Sequence, residues 1–169
     1  MIDFDTNIYY YDKKAAERVV TFIEKHIRHV KGEFATQTIK LESWQKEDII
    51  RPVFGIKRKK DGLRRFRTVY VEIPRKNAKS TLGAAIALYL LVGDGEPGAE
   101  VFSAAGDRDQ ASIIFGIARG MVEQEPELIK RCKPLQHSIT HQAQDKITRF
   151  YKVISAEAKT KHGFNAHGI

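Results

Sequence analysis

The sequence predicts an α/β protein built on a mostly parallel sheet with flanking helices. Two observations predict this. Over residues 68–155, β-branched and aromatic runs alternate with helix-period apolar runs in the order strand, helix, strand, helix, strand; that order implies parallel strands joined by helical crossovers. The run at 79–92 is apolar nearly all round, through Leu82, Ala84, Ala85, Ile86, Ala87, Leu88, Leu90 and Leu91, which suits a helix buried on several sides. Right-handed crossovers then place the helices on the faces of the sheet.

The elements follow in chain order. Residues 1–12 are polar and tyrosine-rich without a clear period and read as an arm. Ala16, Val19, Val20, Ile23, Ile27 and Val30 recur at three- and four-residue steps, which predicts an amphipathic helix over 12–31 ended by Gly32. A short helix is expected over 40–50 around Trp44. Asp61-Gly62 between the strand-like runs 53–59 and 64–72 predicts a β-hairpin. Thr68-Val69-Tyr70-Val71-Glu72-Ile73 reads as a strand, 74–78 as a loop and 93–98 as a turn cluster. The stretch 100–104 reads as the next strand. Asp107 with Gln110 has the spacing of an N-cap and its third-position partner, opening a helix through Ile113, Ile114, Ile117 and Val122. A short helix is expected at 126–132, strands at 138–141 and 146–155, and a Gly- and His-rich loop at 159–169.

Composition bounds the function. Hydrophobic residues make up 42% and charged residues 30% of 169 residues, enough apolar material for a core. The net charge of +8 favours polyanionic partners, meaning nucleic acid, nucleotides or acidic lipid. Cys132 is the single cysteine, which excludes an internal disulfide framework and a Cys-based zinc site and fits a reducing interior. The acidic start Met1-Ile2-Asp3-Phe4-Asp5 has no apolar h-region, so no signal peptide is expected. The longest apolar run, 82–92, is about half of a bilayer span.

The expected strand, loop and helix at 68–92 carry the chemistry. Open α/β sheets bind ligands at the carboxyl ends of their strands, and a helix N-terminus there offers free N–H groups and a positive dipole end to an anion. The loop and first helical turn read Pro74, Arg75, Lys76, Asn77, Ala78, Lys79, Ser80, Thr81. Lys79 is placed to reach terminal phosphates and the Ser80 hydroxyl to ligate Mg²⁺, the Walker A arrangement. The full motif would put glycines at positions 73 and 78, where this chain has Ile73 and Ala78. The alternative is a basic surface loop joining two core elements.

The stretch from Glu72 through Leu82 closely resembles the deviant Walker A of bacteriophage terminase large subunits of the HK97-like group, which usually reads P-R-K-N-G-K-S-T. Ala78 in place of glycine is the one departure, and alanine restricts a backbone that needs φ > 0. Other segments agree in order: Lys31-Gly32-Glu33, Leu41-Glu42-Ser43-Trp44-Gln45 and Phe54-Gly55; the hairpin Asp61 to Arg67; Phe102 to Ala111; Ser155-Ala156-Glu157-Ala158; and His162-Gly163-Phe164-Asn165. The resemblance covers residues 30–169. It implies a P-loop NTPase fold of the RecA/ASCE type, incomplete, preceded by an N-terminal helix and a β-hairpin. It implies a division into an arm and helix at 1–31 and a partial ATPase domain at 32–169. Gln45 sits where the family reads adenine; its amide offers a donor and an acceptor to that edge.

The same resemblance implies ATP and Mg²⁺ as cofactors and double-stranded DNA, a portal protein and a small terminase subunit as partners. It also implies a homo-oligomeric ring, no membrane association, and the cytoplasm of a bacterial host. In the family an apolar strand ending in Asp-Glu follows the His-Gly-Phe-Asn run, its Asp on Mg²⁺ and its Glu on the attacking water; a nuclease domain comes later. The chain is thus expected to be an N-terminal fragment with no turnover of its own, and neither Glu157 nor Asp145 is promoted to the missing role. A non-catalytic nucleic-acid-binding module with a degenerate P-loop, and a helicase-like ATPase fragment, are the alternative readings.

Residues 57–67 hold Lys57, Arg58, Lys59, Lys60, Arg64, Arg65 and Arg67 against Asp61. Of these, Lys57, Lys59, Arg64, Arg65 and Arg67 are the candidate contacts to DNA phosphates, with a solvated hairpin face as the alternative. His137 and His141 have no third ligand in sight. Arg108, Arg119, Arg131 and Arg149 are the candidates for an arginine acting on the γ-phosphate.

Overall fold

The computed structural model describes residues 3–105, 108–155 and 166–169. The chain divides into two compact units: one formed by the residues up to Lys25 with Ile39–Pro74, the other by His26–Thr38 with Arg75–Ile169. The expected Asp107–Gln110 cap and the Ser155–Ala158 and His162–Asn165 runs fall wholly or partly outside the described residues.

In the first unit, β1 (Tyr9–Tyr11) pairs antiparallel with β2 (Ile56–Arg58). Residues 9–11 therefore do not form a free arm: their hydrogen-bonding partner arrives 45 residues later, in register Tyr11↔Ile56, where local pattern cannot reveal it. Asp12 caps α1 (Lys13–His26), its Oδ1 accepting the Ala15 N–H at 2.9 Å. The apolar stripe of α1 buries Ala16, Val19, Val20 and Ile23 as its periodicity predicts, and Ala15 beside them. The helix ends at His26 rather than 31. Beyond it the chain folds back on itself, with His29 N–H to Gln37 O and Thr36 N–H to His29 O.

The helix expected around Trp44 is present, as a π-helical turn Gln45–Ile50 running into α2 (Arg51–Gly55). Pro52 has no N–H to give the Asp48 carbonyl, which breaks the i→i+4 ladder at this point. Residues 53–55 are consequently helical, not the start of a strand. Arg51 Nε on Glu17 at 2.8 Å and Lys46 Nζ on Glu24 at 2.9 Å tie this segment to α1.

The Asp61-Gly62 turn forms, with Gly62 at φ +70 and the Arg58 N–H on the Leu63 carbonyl. Its second arm makes only the single bridge Lys57↔Arg64. Residues 68–73 carry no strand, contrary to their composition. No described segment offers them a ladder, Val69 is 48% and Tyr70 85% exposed, and β propensity without a pairing partner does not make a strand.

The second unit holds a five-stranded sheet in the order β4-β5-β6-β3-β7. Its strands are β3 (Glu100–Ala105), β4 (Cys132–Pro134), β5 (Ser138–Gln142), β6 (Thr148–Ser155) and β7 (Ala166–Gly168). β3 lies parallel to both β6 and β7, while β5 is antiparallel to β4 and β6, so four of the five strands share one direction. The α/β class and the strands at 100, 138 and 148 agree with the sequence.

Two short strands do not. Residues 132–134, expected as a helix end, form the edge strand β4, where Pro134 is tolerated because an edge spares it one ladder bond. Residues 166–168, expected as loop, are held by parallel pairing with β3.

α3 (Lys79–Leu88), continued by a π-helical turn Tyr89–Gly93, packs on α4 (Arg108–Gln124), and α4 covers β3 and β6. Tyr151 of β6 is fully buried beneath it, its ring 5.3 Å from that of Phe115. A short helix α5 (Pro126–Ile129) follows. Glu125, just before it, is buried and accepts from Arg28 Nε at 3.0 Å, anchoring the 26–38 segment within this unit.

Candidate functional site

The loop before α3 is built as the sequence reads it at its helical end. Lys79 is the first residue of α3, and the first helical bond runs from the Leu82 N–H to the Ala78 carbonyl at 2.9 Å. The N–H groups of Lys79, Ser80 and Thr81 precede that bond, and no side chain caps the helix. Such an end presents donors and the positive pole of the helix dipole together. Arg75, Lys76, Asn77, Ala78 and Lys79 are exposed, and Ser80 and Thr81 half-buried. Asn77 Nδ2 donates to the Arg75 carbonyl at 3.4 Å. Pro74 closes the first unit, and Arg75–Thr81 lie in the second.

Two non-glycine residues of this loop are left-handed: Lys76 at φ 71 and Ala78 at φ 57, ψ 22. A Cβ makes that conformation costly, by about 1–2 kcal/mol for alanine. The fold therefore imposes at Ala78 the backbone that a glycine would adopt freely. Nothing in a lysine or alanine signals this in sequence; only the missing motif glycine at 78 hinted at it.

Gln45 is buried, and its Oε1 accepts the Glu42 N–H at 3.0 Å. This is the reciprocal half of a capping box, in which the third helical residue reaches back to the cap. Gln45 lies in the first unit and Lys79 in the second.

The basic hairpin lies in the first unit, and its cations divide into two sets. Lys57 Nζ is 2.9 Å from Asp12 Oδ2 and Arg58 Nη2 is 2.8 Å from Asp61 Oδ2. Arg64 lies 5.3 Å over the Phe54 ring. Arg65 stacks 4.9 Å from Tyr9 and 5.1 Å from Phe66. These groups are engaged within the unit. Lys59, Lys60 and Arg67 are exposed. The Ala15 N–H bond, with Lys57 beside it, holds the Asp12 carboxyl below its usual 3.8.

Arg149 leaves the group of candidate γ-phosphate arginines. It is buried, with Nε on the Glu96 carbonyl at 2.7 Å, Nη1 on the Ile147 carbonyl at 3.1 Å and Nη2 on Asp145 Oδ2 at 2.7 Å. All its donating edges go to structure, and the Asp145 carboxyl is held low mainly by the hydrogen bond from Arg149. His141 donates its Nδ1–H to the Arg131 carbonyl at 3.1 Å. Among the described residues no three His, Cys, Asp or Glu side chains converge as a metal site. No described helix is long and apolar enough to cross a membrane.

A sheet with parallel β6-β3-β7, covered by α4 and followed back to an uncapped Lys-Ser-Thr helix start, defines a P-loop-type α/β protein. The family model "Terminase large subunit, ATPase domain" matches residues 43–167. The chain is 34% identical over 154 residues to "Terminase, large subunit" of Enterobacteria phage HK97, a match covering 88% of this chain and 28% of that protein. The crystal structure of the HK97 bacteriophage large terminase superposes with a TM-score of 0.70 at 30% identity, covering 89% of this chain and 29% of that one. The chain belongs to the terminase large subunit ATPase-domain family. It spans less than a third of the length of these relatives.

Proposed function

We propose that this chain is the nucleotide-binding part of a viral DNA-packaging motor that uses Mg·ATP to drive double-stranded DNA into a procapsid. Whole, the motor would work as a homo-oligomeric ring in the host cytoplasm, with a portal protein and a small terminase subunit, and would cut the DNA with a separate nuclease domain. Membership of the terminase family supports the setting. The observation that carries the reading is the uncapped start of α3 at Lys79-Ser80-Thr81 behind the left-handed Ala78.

The donor set fits a polyphosphate. Backbone N–H groups at a helix start take an anion, the Lys79 ammonium adds a mobile positive charge, and the Ser80 hydroxyl is a hard oxygen donor suited to Mg²⁺. Arg75 and Lys76 raise the local positive potential. Bound ATP would supply the γ-phosphoryl group whose transfer to water powers translocation. The residues named here hold and orient; the Gln45 Oε1 accepts the Glu42 N–H, so an adenine edge would meet the amide N–H donors of Gln45. Lys59, Lys60 and Arg67, the exposed cations of the hairpin, would meet duplex phosphates without regard to sequence.

Titration calorimetry with Mg·ATP tests the reading. Wild type should bind and Lys79→Ala should lose binding. Equal affinity in the two proteins would contradict it.

A further inference from the structure

Resting on the reading of the basic hairpin as a surface for duplex phosphates, we propose that residues 3–10 are a strap that competes with DNA for the hairpin's cations. The strap lies along the outer edge of β2. The Lys59 N–H donates to the Ile8 carbonyl at 2.9 Å, and Tyr9 and Tyr10 stand opposite Arg58 and Lys57. The Tyr9 ring lies 4.9 Å from the Arg65 guanidinium, whose Nη1 donates to the Asp3 carbonyl at 3.4 Å. The strap also carries two acidic residues, Asp3 and Asp5, the second with its Oδ1 on the Asn7 N–H at 2.8 Å. It thus offers the hairpin what a nucleic acid offers: acceptor oxygens, negative charge and a flat π-face.

The strap is built to open. β1 is three residues long and pairs on one side only, and an isolated two-stranded pairing is marginal in water. Its far end is fixed: a Cβ on Gly55 would collide with the Tyr11 ring, so Tyr11 fills that space, and Asp12 caps α1. Opening therefore hinges at Tyr11 and leaves α1 and the Asp12–Lys57 pair in place. It frees Arg65 from the Tyr9 ring and the Asp3 carbonyl.

The test locks the strap. Ile8 and Lys59 share a ladder hydrogen bond, so Tyr9 and Arg58 form the closer, non-hydrogen-bonded pair, whose spacing suits a disulfide. In the double variant Tyr9→Cys, Arg58→Cys, the oxidised protein holds the strap shut and the reduced protein releases it. Cys132 is buried, its thiol pushed up to about 12 by desolvation, and stays out of the exchange. Binding of a 20-base-pair duplex is measured for both forms across a salt series. The reduced form should bind severalfold more tightly at low salt, with a steeper log–log salt slope as the strap leaves the hairpin. In the wild-type chain, duplex should also speed exchange of the Tyr10 amide. Equal affinity and slope in the two redox forms, with binding lost in Lys59→Glu, Arg67→Glu, would overturn the strap and leave the hairpin reading standing. No duplex binding by any form at low salt would overturn both.

Discussion

The Tyr151 hydroxyl of β6 and the Ser103 hydroxyl of β3 hydrogen-bond to each other inside the sheet, beneath α4. Tyr151 stands opposite Val101, and Ser103 follows two residues on, so both side chains share one face. Each hydroxyl satisfies the other where water does not reach. Desolvation outweighs that bond and pushes the Tyr151 phenol up to about 12. Tyr151→Phe keeps the ring against Phe115 but strands the Ser103 hydroxyl. The variant should be less stable by about 1–2 kcal/mol, read as a lowered midpoint in urea with an unchanged m-value.

Asp12 couples the strand–helix junction to the hairpin, and its charge gives the junction a pH signature. Its carboxyl is held below 3.8 by the Ala15 N–H and by Lys57, so the bound form is the ionised one. Its contribution is present above the ordinary carboxylate range and is lost as pH falls through the lowered value. Asp12→Asn keeps a good N-cap and removes the charge. The variant should melt slightly lower than wild type at pH 7, by less than about 1 kcal/mol for a partly exposed ion pair. That gap should close as pH falls below 3.8. A gap independent of pH would contradict the assignment.

Ala78 pays a conformational penalty at φ 57. Replacing it with glycine relieves about 1–2 kcal/mol of left-handed strain and returns about 0.4–1 kcal/mol to the unfolded chain. Ala78→Gly should therefore stabilise the protein by about 0.5–1 kcal/mol, with a thermal midpoint a few degrees higher. A lower midpoint would show that Ala78 is not left-handed in solution.

What was legible in the sequence follows from range. α1, α3, β5 and β6 were readable because their own periodicity or composition decides them, and Lys79 as a helix start was readable from the Lys-Ser-Thr motif. β1, β4 and β7 are three-residue strands; three residues carry no period, and each is held by its partner's ladder, distant in chain for β1 and β7 and the next strand for β4. The opposite error at 68–73 has the same cause, since strong β composition found no described partner. At the candidate site the side chains were legible and the backbone was not. The left-handed Lys76 and Ala78 contradict their residue types, and the capping bond from the Glu42 N–H to Gln45 Oε1 hides in a segment whose cap residue is not the usual Ser or Thr.

The central claim is that a nucleotide's phosphates sit on the start of α3. The most direct measurement is the change in backbone amide chemical shifts of the isotope-labelled chain on adding Mg·ADP. The account predicts that the largest changes fall on Lys79, Ser80 and Thr81 and are absent in Lys79→Ala. Nucleotide-induced changes that spare those three amides, or none at saturating nucleotide, would contradict it.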